Sequence, residues 1–197
     1  MGNLLIPGEQ AAGPHRNGAE PINSFALVTY ISGRLGEFVD DLRRELVPAC
    51  TPRAHVTILP PRPIAVSPDE AWDYIYPAIR DFPAFEVKTA PVEIFDCTSV
   101  IFISLATGRE ELRRMHDALN RGPVGFAEPY TYHPHITLAQ DLRPEDVAQI
   151  LETAKARWAE YSGERSFSAD SVTFVQNTAC NRWLDLAHCQ LGVPSIL

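Results

Sequence analysis

Three features of the sequence predict an α+β protein with a bilobal, pseudo-two-fold duplicated fold: antiparallel sheets with flanking helices around a central cleft. Segments of strand and helix character alternate along the chain. The series restarts near the middle in the same order. Each half carries one run of His, apolar residue, Thr, apolar residue: "HVTI" at 55–58 and "HITL" at 135–138. Matching landmarks lie at similar offsets, 76 from Pro68 to Pro144, 80 from His55 to His135 and 82 from Phe85 to Phe167. A repeat this long, present twice, suits two lobes of one unit better than a solenoid.

The elements follow in order. "SFALVTYI" (24–31) reads as a strand, "GEFVDDLRRELV" (36–47) as an amphipathic helix and "AHVTIL" (54–59) as a strand. Ser67-Pro68 followed by acidic residues starts a helix over 68–82, because proline fits the first turn and carboxylates complement the helix N-terminus. "FEVKTAPVEIF" (85–95) closes the first series as a strand. The second series offers a strand at 100–106, a helix at 109–121, a strand at 133–140, a helix at 144–161 behind Arg143-Pro144, and strands at 167–176 and 182–191. Residues 1–22 read as a flexible leader, and residues 23–197 as one bilobal domain with lobes of about 23–97 and 98–192 that are free to exchange strands.

The 197 residues, 45% apolar and 21% charged, have an ordinary globular composition. The sequence has no apolar run long enough to span a membrane and its opening lacks a signal-peptide pattern, so a cytoplasmic protein without membrane association is expected. Cys50, Cys97, Cys180 and Cys189 form no C-x-x-C pair and read as free thiols. A net charge of −8 argues against an extended nucleic-acid interface but leaves room for a small phosphorylated substrate. Only Lys88 and Lys155 are lysines among 17 basic residues, so a phosphate contact would fall to arginine.

Residues two apart in a strand share a face. His55 points with Thr57 and His135 with Thr137, while Val56, Ile58, Ile136 and Leu138 take the apolar side. Meeting at a cleft, two imidazoles and two hydroxyls suit phosphodiester chemistry. One imidazole removes a proton from the attacking oxygen and a second delivers one to the leaving oxygen. The hydroxyls stabilise charge on the non-bridging oxygens. One His-x-Thr alone is an ordinary half-buried sheet face; two in matching places are not.

These residues carry a family resemblance. "HVTI" and "HITL", one per half of a duplicated chain, resemble the paired motifs of the 2H phosphoesterase superfamily, and "YHPHITLA" is similar to the second motif of its 2′-5′ RNA ligase-like branch. The resemblance implies a bilobal fold and cofactor-free, metal-independent work on 2′-5′ phosphodiesters or 2′,3′-cyclic phosphates of nucleotides or RNA ends. It gives His55 and His135 the catalytic roles, His135 activating water and His55 protonating the leaving oxygen. Thr57 and Thr137 become phosphate-binding residues.

Arg62, in "LPPRP", is a phosphate-contact candidate or part of a rigid proline-rich loop. Tyr130, Tyr132 and His133 are candidate substrate contacts, with core packing favoured for Tyr132 and a supporting or solvent-exposed place for His133. His116 and His188 read as structural. A monomer is expected, its partner a nucleotide or RNA-end phosphodiester. Two readings compete: a nucleotide- or RNA-binding module without turnover, and a zinc-dependent hydrolase built on His133 and His135, which would need further ligands. A histidine-triad hydrolase would need a third histidine where Thr137 stands.

Overall fold

A computed structural model describes residues 20–51 and 53–192. Along these the chain forms β1 (Pro21–Tyr30), α1 (Gly33–Leu46), β2 (His55–Arg62), α2 (Pro68–Ile79), β3 (Phe85–Ile94), β4 (Ile101–Leu105), α3 (Arg109–Leu119), a 3-10 turn (Gly122–Val124), β5 (Ile136–Ala139), α4 (Val147–Glu160), β6 (Ser166–Ala169), β7 (Ser171–Thr178) and β8 (Trp183–Gln190). Of the leader expected over residues 1–22, residues 1–19 lie outside the described ones, while Pro21 and Ile22 already belong to β1.

Two four-stranded sheets result, ordered β2-β1-β7-β8 and β5-β4-β3-β6, with every ladder antiparallel. The orders match when β1 is laid on β4, β2 on β5 and β7 on β3. Register makes the match explicit: Val28 pairs with Thr57 on one side and Thr173 on the other, as Phe102 pairs with Thr137 and Glu93. The correspondence crosses the halves. β3 sits in the second sheet, and β7 and β8 sit in the first, so the sheets do not follow a division of the chain near residue 97. The single strand expected over 167–176 is two strands in different sheets, with Asp170 between them. The change of sheet falls in Ser168-Ala169-Asp170-Ser171, a stretch of weak strand preference that was read through as one strand.

Local chemistry explains the main boundaries. Ser67 caps α2 by accepting from the Glu70 N–H, while the Glu70 carboxylate accepts from the Ser67 N–H. α1 starts earlier than expected because Gly36 lets the helix close onto the end of β1: a Cβ there would lie 2.0 Å from the Ile31 carbonyl oxygen. β2 runs through Pro60 and Pro61 to Arg62, further than the sequence suggested. It is an edge strand, where a proline's missing N–H costs no ladder bond. α1 also rests on β5 and α3 on β2, so each lobe's helix braces the other lobe's edge strand. One large apolar core, including Leu27, Val39, Ile58, Ile75, Ile103, Met115 and Ile136, unites sheets and helices.

Candidate active site

β2 and β5 are the edge strands of their sheets, and the two edges lie against each other. His55 and Thr57 are half-buried while Val56 and Ile58 are buried, and the same alternation holds for His135, Ile136, Thr137 and Leu138. Both imidazoles are held alike. His55 Nδ1 lies 2.5 Å from the carbonyl oxygen of Arg53, and His135 Nδ1 lies 2.6 Å from that of His133. A carbonyl accepts only, so each neutral ring carries its proton on Nδ1 and presents the Nε2 lone pair.

The surroundings differ. Burial, then the charge of Arg43, pulls the His55 pKa down to about 4 against the hydrogen bond to Arg53, and His135 is near enough to add to the fall. Arg43 is a buried α1 residue whose Nη1 donates to the same Arg53 carbonyl at 3.3 Å. Burial also lowers the His135 pKa, opposed by its carbonyl bond and aided by His133. His135 sits edge-on to Phe95 and Phe102, with ring centroids 5.1 Å away in each case, and those two rings stack at 4.1 Å. On the other side Tyr30 is the cross-strand partner of His55, with ring centroids 6.4 Å apart.

The remaining candidates divide. His133 lies beside the same Phe95 and Phe102 rings, half-buried, its pKa lowered by burial and then by the charge of Arg113. Tyr130 is exposed at 61%. Tyr132 is not free to stack on a base: its ring lies 4.1 Å from and parallel to that of His116, and its hydroxyl donates to the Thr57 carbonyl at 2.8 Å.

Arg62 is a correction. Its side chain is 2% exposed and ion-paired to Glu128, and it donates to Pro60 O at 2.9 Å, Asn120 Oδ1 at 2.6 Å and Val124 O at 3.2 Å. Glu128 also meets His116 Nε2 at 3.0 Å. Arg62 therefore ties β2 to the loop that leads to β5 and has no exposed face for a phosphate. Its side chain shares the buried side of β2 with Val56 and Ile58, as alternation along the strand requires; the strand expected over 54–59 stopped short of it.

Among the described residues no three His, Cys, Asp or Glu side chains gather as a metal-ligand set, so His133 and His135 lack the third ligand a zinc site wants. The four cysteines are free, with Cys180 in the turn before β8 and Cys189 near that strand's far end. Sequence reasoning missed Arg43, Arg53 and Tyr30. Tyr30 had a signal, its place at the end of a strand that could pair with β2.

Comparison with known proteins agrees with this arrangement. The model of the 2′-5′ RNA ligase superfamily matches residues 32–179. A candidate phosphoesterase of Bacillus licheniformis is 24% identical over 149 residues, 70% of this chain and 82% of that protein. Among solved structures, Escherichia coli LigT has a TM-score of 0.58 at 16% identity, over 89% of this chain and 100% of LigT. The protein TT0787 of Thermus thermophilus also scores 0.58, at 14% identity, over 87% and 99%. No helix among the described residues is long and apolar enough to cross a membrane. With its family model spanning most of the sequence, the chain belongs to the 2′-5′ RNA ligase superfamily of phosphoesterases.

Proposed function

We propose that this protein is a metal-independent phosphodiesterase that opens 2′-5′ phosphodiester or 2′,3′-cyclic phosphate bonds of nucleotides or RNA ends by two-histidine acid–base catalysis. The observation that carries the reading is the matched tethering of His55 and His135, each with Nδ1 on a backbone carbonyl two residues back and Nε2 left for the substrate. One ring accepts the proton of the attacking water at Nε2, and the other, protonated, donates from Nε2 to the departing oxygen. Thr57 and Thr137 donate to the phosphate oxygens as charge builds there. E. coli LigT has been crystallised with ATP and with 3′-AMP, which supports a nucleotide-sized substrate for its relatives.

The division of labour follows the charges. Burial is the largest cause lowering both rings; beside His55 the charges of Arg43 and then Arg53 further disfavour the imidazolium, whereas at His135 the added charge is that of His133. His55 is accordingly the base and His135 the acid, the reverse of the assignment that the resemblance suggested. The test is a panel of 2′,3′-cyclic nucleotides, 2′-5′-linked dinucleotides and 3′-5′-linked controls, assayed with EDTA present. Turnover of a cyclic or 2′-5′ substrate with the 3′-5′ control untouched is expected. No turnover of any of them, or turnover that returns only on adding a divalent metal, overturns the reading. A substrate with a good leaving group should rescue His135→Ala and not His55→Ala; the opposite result restores the other assignment.

A further inference from the structure

The first sheet carries, apart from the main core, a feature that acid–base chemistry does not use. Ala26, Val28 and Val175 form a small apolar cluster of their own, roofed by the partly buried Tyr30 and Trp183. The Tyr30 hydroxyl donates to Asp185 Oδ1 at 2.6 Å, and Arg53 Nη2 holds Asp185 Oδ2 at 2.5 Å. The Arg53 guanidinium lies over the Tyr30 ring, 3.7 Å from its centroid. Arg53 and Asp185 keep 59% and 47% of their side-chain surface exposed, so the assembly faces solvent. Burial, then the bond to Asp185, pushes the Tyr30 pKa up to about 12, so the hydroxyl stays a donor at neutral pH.

A surface ion pair of this exposure adds little stability. Its effect is orientation: the carboxylate fixes the guanidinium plane over the tyrosine ring. The result is a flat π-surface, the guanidinium plane on an aromatic ring that is itself the cross-strand partner of His55. Asp185 offsets the arginine charge, so the surface is poorly suited to a phosphate and well suited to a planar neutral ring. Every nucleobase has such a face, and aromatic and arginine planes both stack on it.

We propose that Tyr30, Arg53 and Asp185 form a nucleobase subsite, which seats the base of the nucleoside attached to the phosphate between His55 and His135. This deepens the phosphodiesterase reading and rests on it for the position of the phosphate. The base stacks against the Arg53–Tyr30 pair, and Asp185, an acceptor only, takes amino or imino N–H donors from its edge.

The experiment compares adenosine 3′-monophosphate with ribose 3-phosphate by calorimetric titration of the full chain, and in parallel follows turnover of adenosine 2′,3′-cyclic phosphate. Wild type should bind the nucleotide at least about tenfold more tightly than the sugar phosphate, the scale of one base stack. Tyr30→Ala and the surface substitution Arg53→Ala, which leaves the backbone carbonyl of Arg53 in place, should shrink that ratio toward one. Tyr30→Phe, which keeps the ring, should retain most of it. Equal affinities in wild type, or a preference that survives both alanine substitutions, overturns the subsite. A preference lost in the alanine variants while wild type turns over no cyclic substrate supports the subsite and removes the phosphodiesterase reading instead.

Discussion

At the residue scale the paired carbonyl tethers decide most of the expected chemistry. Alanine at either His55 or His135 should lower kcat by about 10² or more, and alanine at Thr57 or Thr137 by less, with unchanged melting temperatures. Both imidazoles titrate below their usual 6.5 in the free protein. Catalysis needs one ring neutral and one charged, so the bell in kcat/KM, which reports the free enzyme, should centre below pH 6.5. A bound anionic phosphate favours both charged forms, so the kcat bell should lie at higher pH; coincident bells would contradict this. Arg43→Met removes a cation beside His55 and should raise its pKa, moving the acidic limb of kcat/KM upward. A limb that stays in place would show that the Arg43 charge does not reach the ring. The two histidines and two threonines were legible because strand alternation is local. Arg43 was overlooked although helical spacing sets it on the face of Val39 and Leu46, away from its exposed neighbour Arg44; its charge, not its position, argued for solvent.

At the scale of elements, β2 and its connections carry the site. The Arg62–Glu128 pair joins that strand to the segment preceding β5, and both side chains are at least nine-tenths buried. Arg62→Met would leave Glu128 without its partner. It should destabilise by about 3–5 kcal/mol, seen as a melting temperature lower by roughly 10 °C. Adding Glu128→Gln should recover much of the loss, and a rise in KM with no change in melting would revive a phosphate-binding role. Gly36→Ala forces a Cβ into the Ile31 carbonyl, so α1 must move away from β1. A fall of about 1–3 kcal/mol in unfolding free energy is expected, and a neutral effect in denaturant titration would show that the helix has room to shift. Capping boxes, amphipathic helices and alternating strands made most elements visible in sequence. Boundaries failed at the prolines tolerated on the β2 edge, where tertiary context ruled, and at Asp170, where a segment read as one strand changes sheets.

For the whole molecule, the decisive fact is that each half lends strands to the other half's sheet. Repetition of order was readable from sequence and left room for exchanged strands, but which strands cross was not readable, because β3 and β7 each follow their own half in the chain and pair with the other in space. Residues 20–96 and 97–192, expressed separately, should each fail to give a cooperative melt, and together they should reassemble. A cooperative transition from either fragment alone would contradict the dependence. The same crossing has a consequence in time. Val28 of β1 waits for Thr173 of β7, nearly the whole described chain later. At a synthesis rate of about 5–20 residues per second, the β2–β1 ribbon, complete at Arg62, leaves the ribosome roughly 5–20 seconds before Ser171 begins the strand that covers its inner edge. For that interval the nascent chain shows the open, apolar edge of Phe25–Val28, a template for pairing with other chains. Ribosomes that stop before Ser171 therefore release an aggregation-prone fragment with the first motif intact and no sheet to hold it.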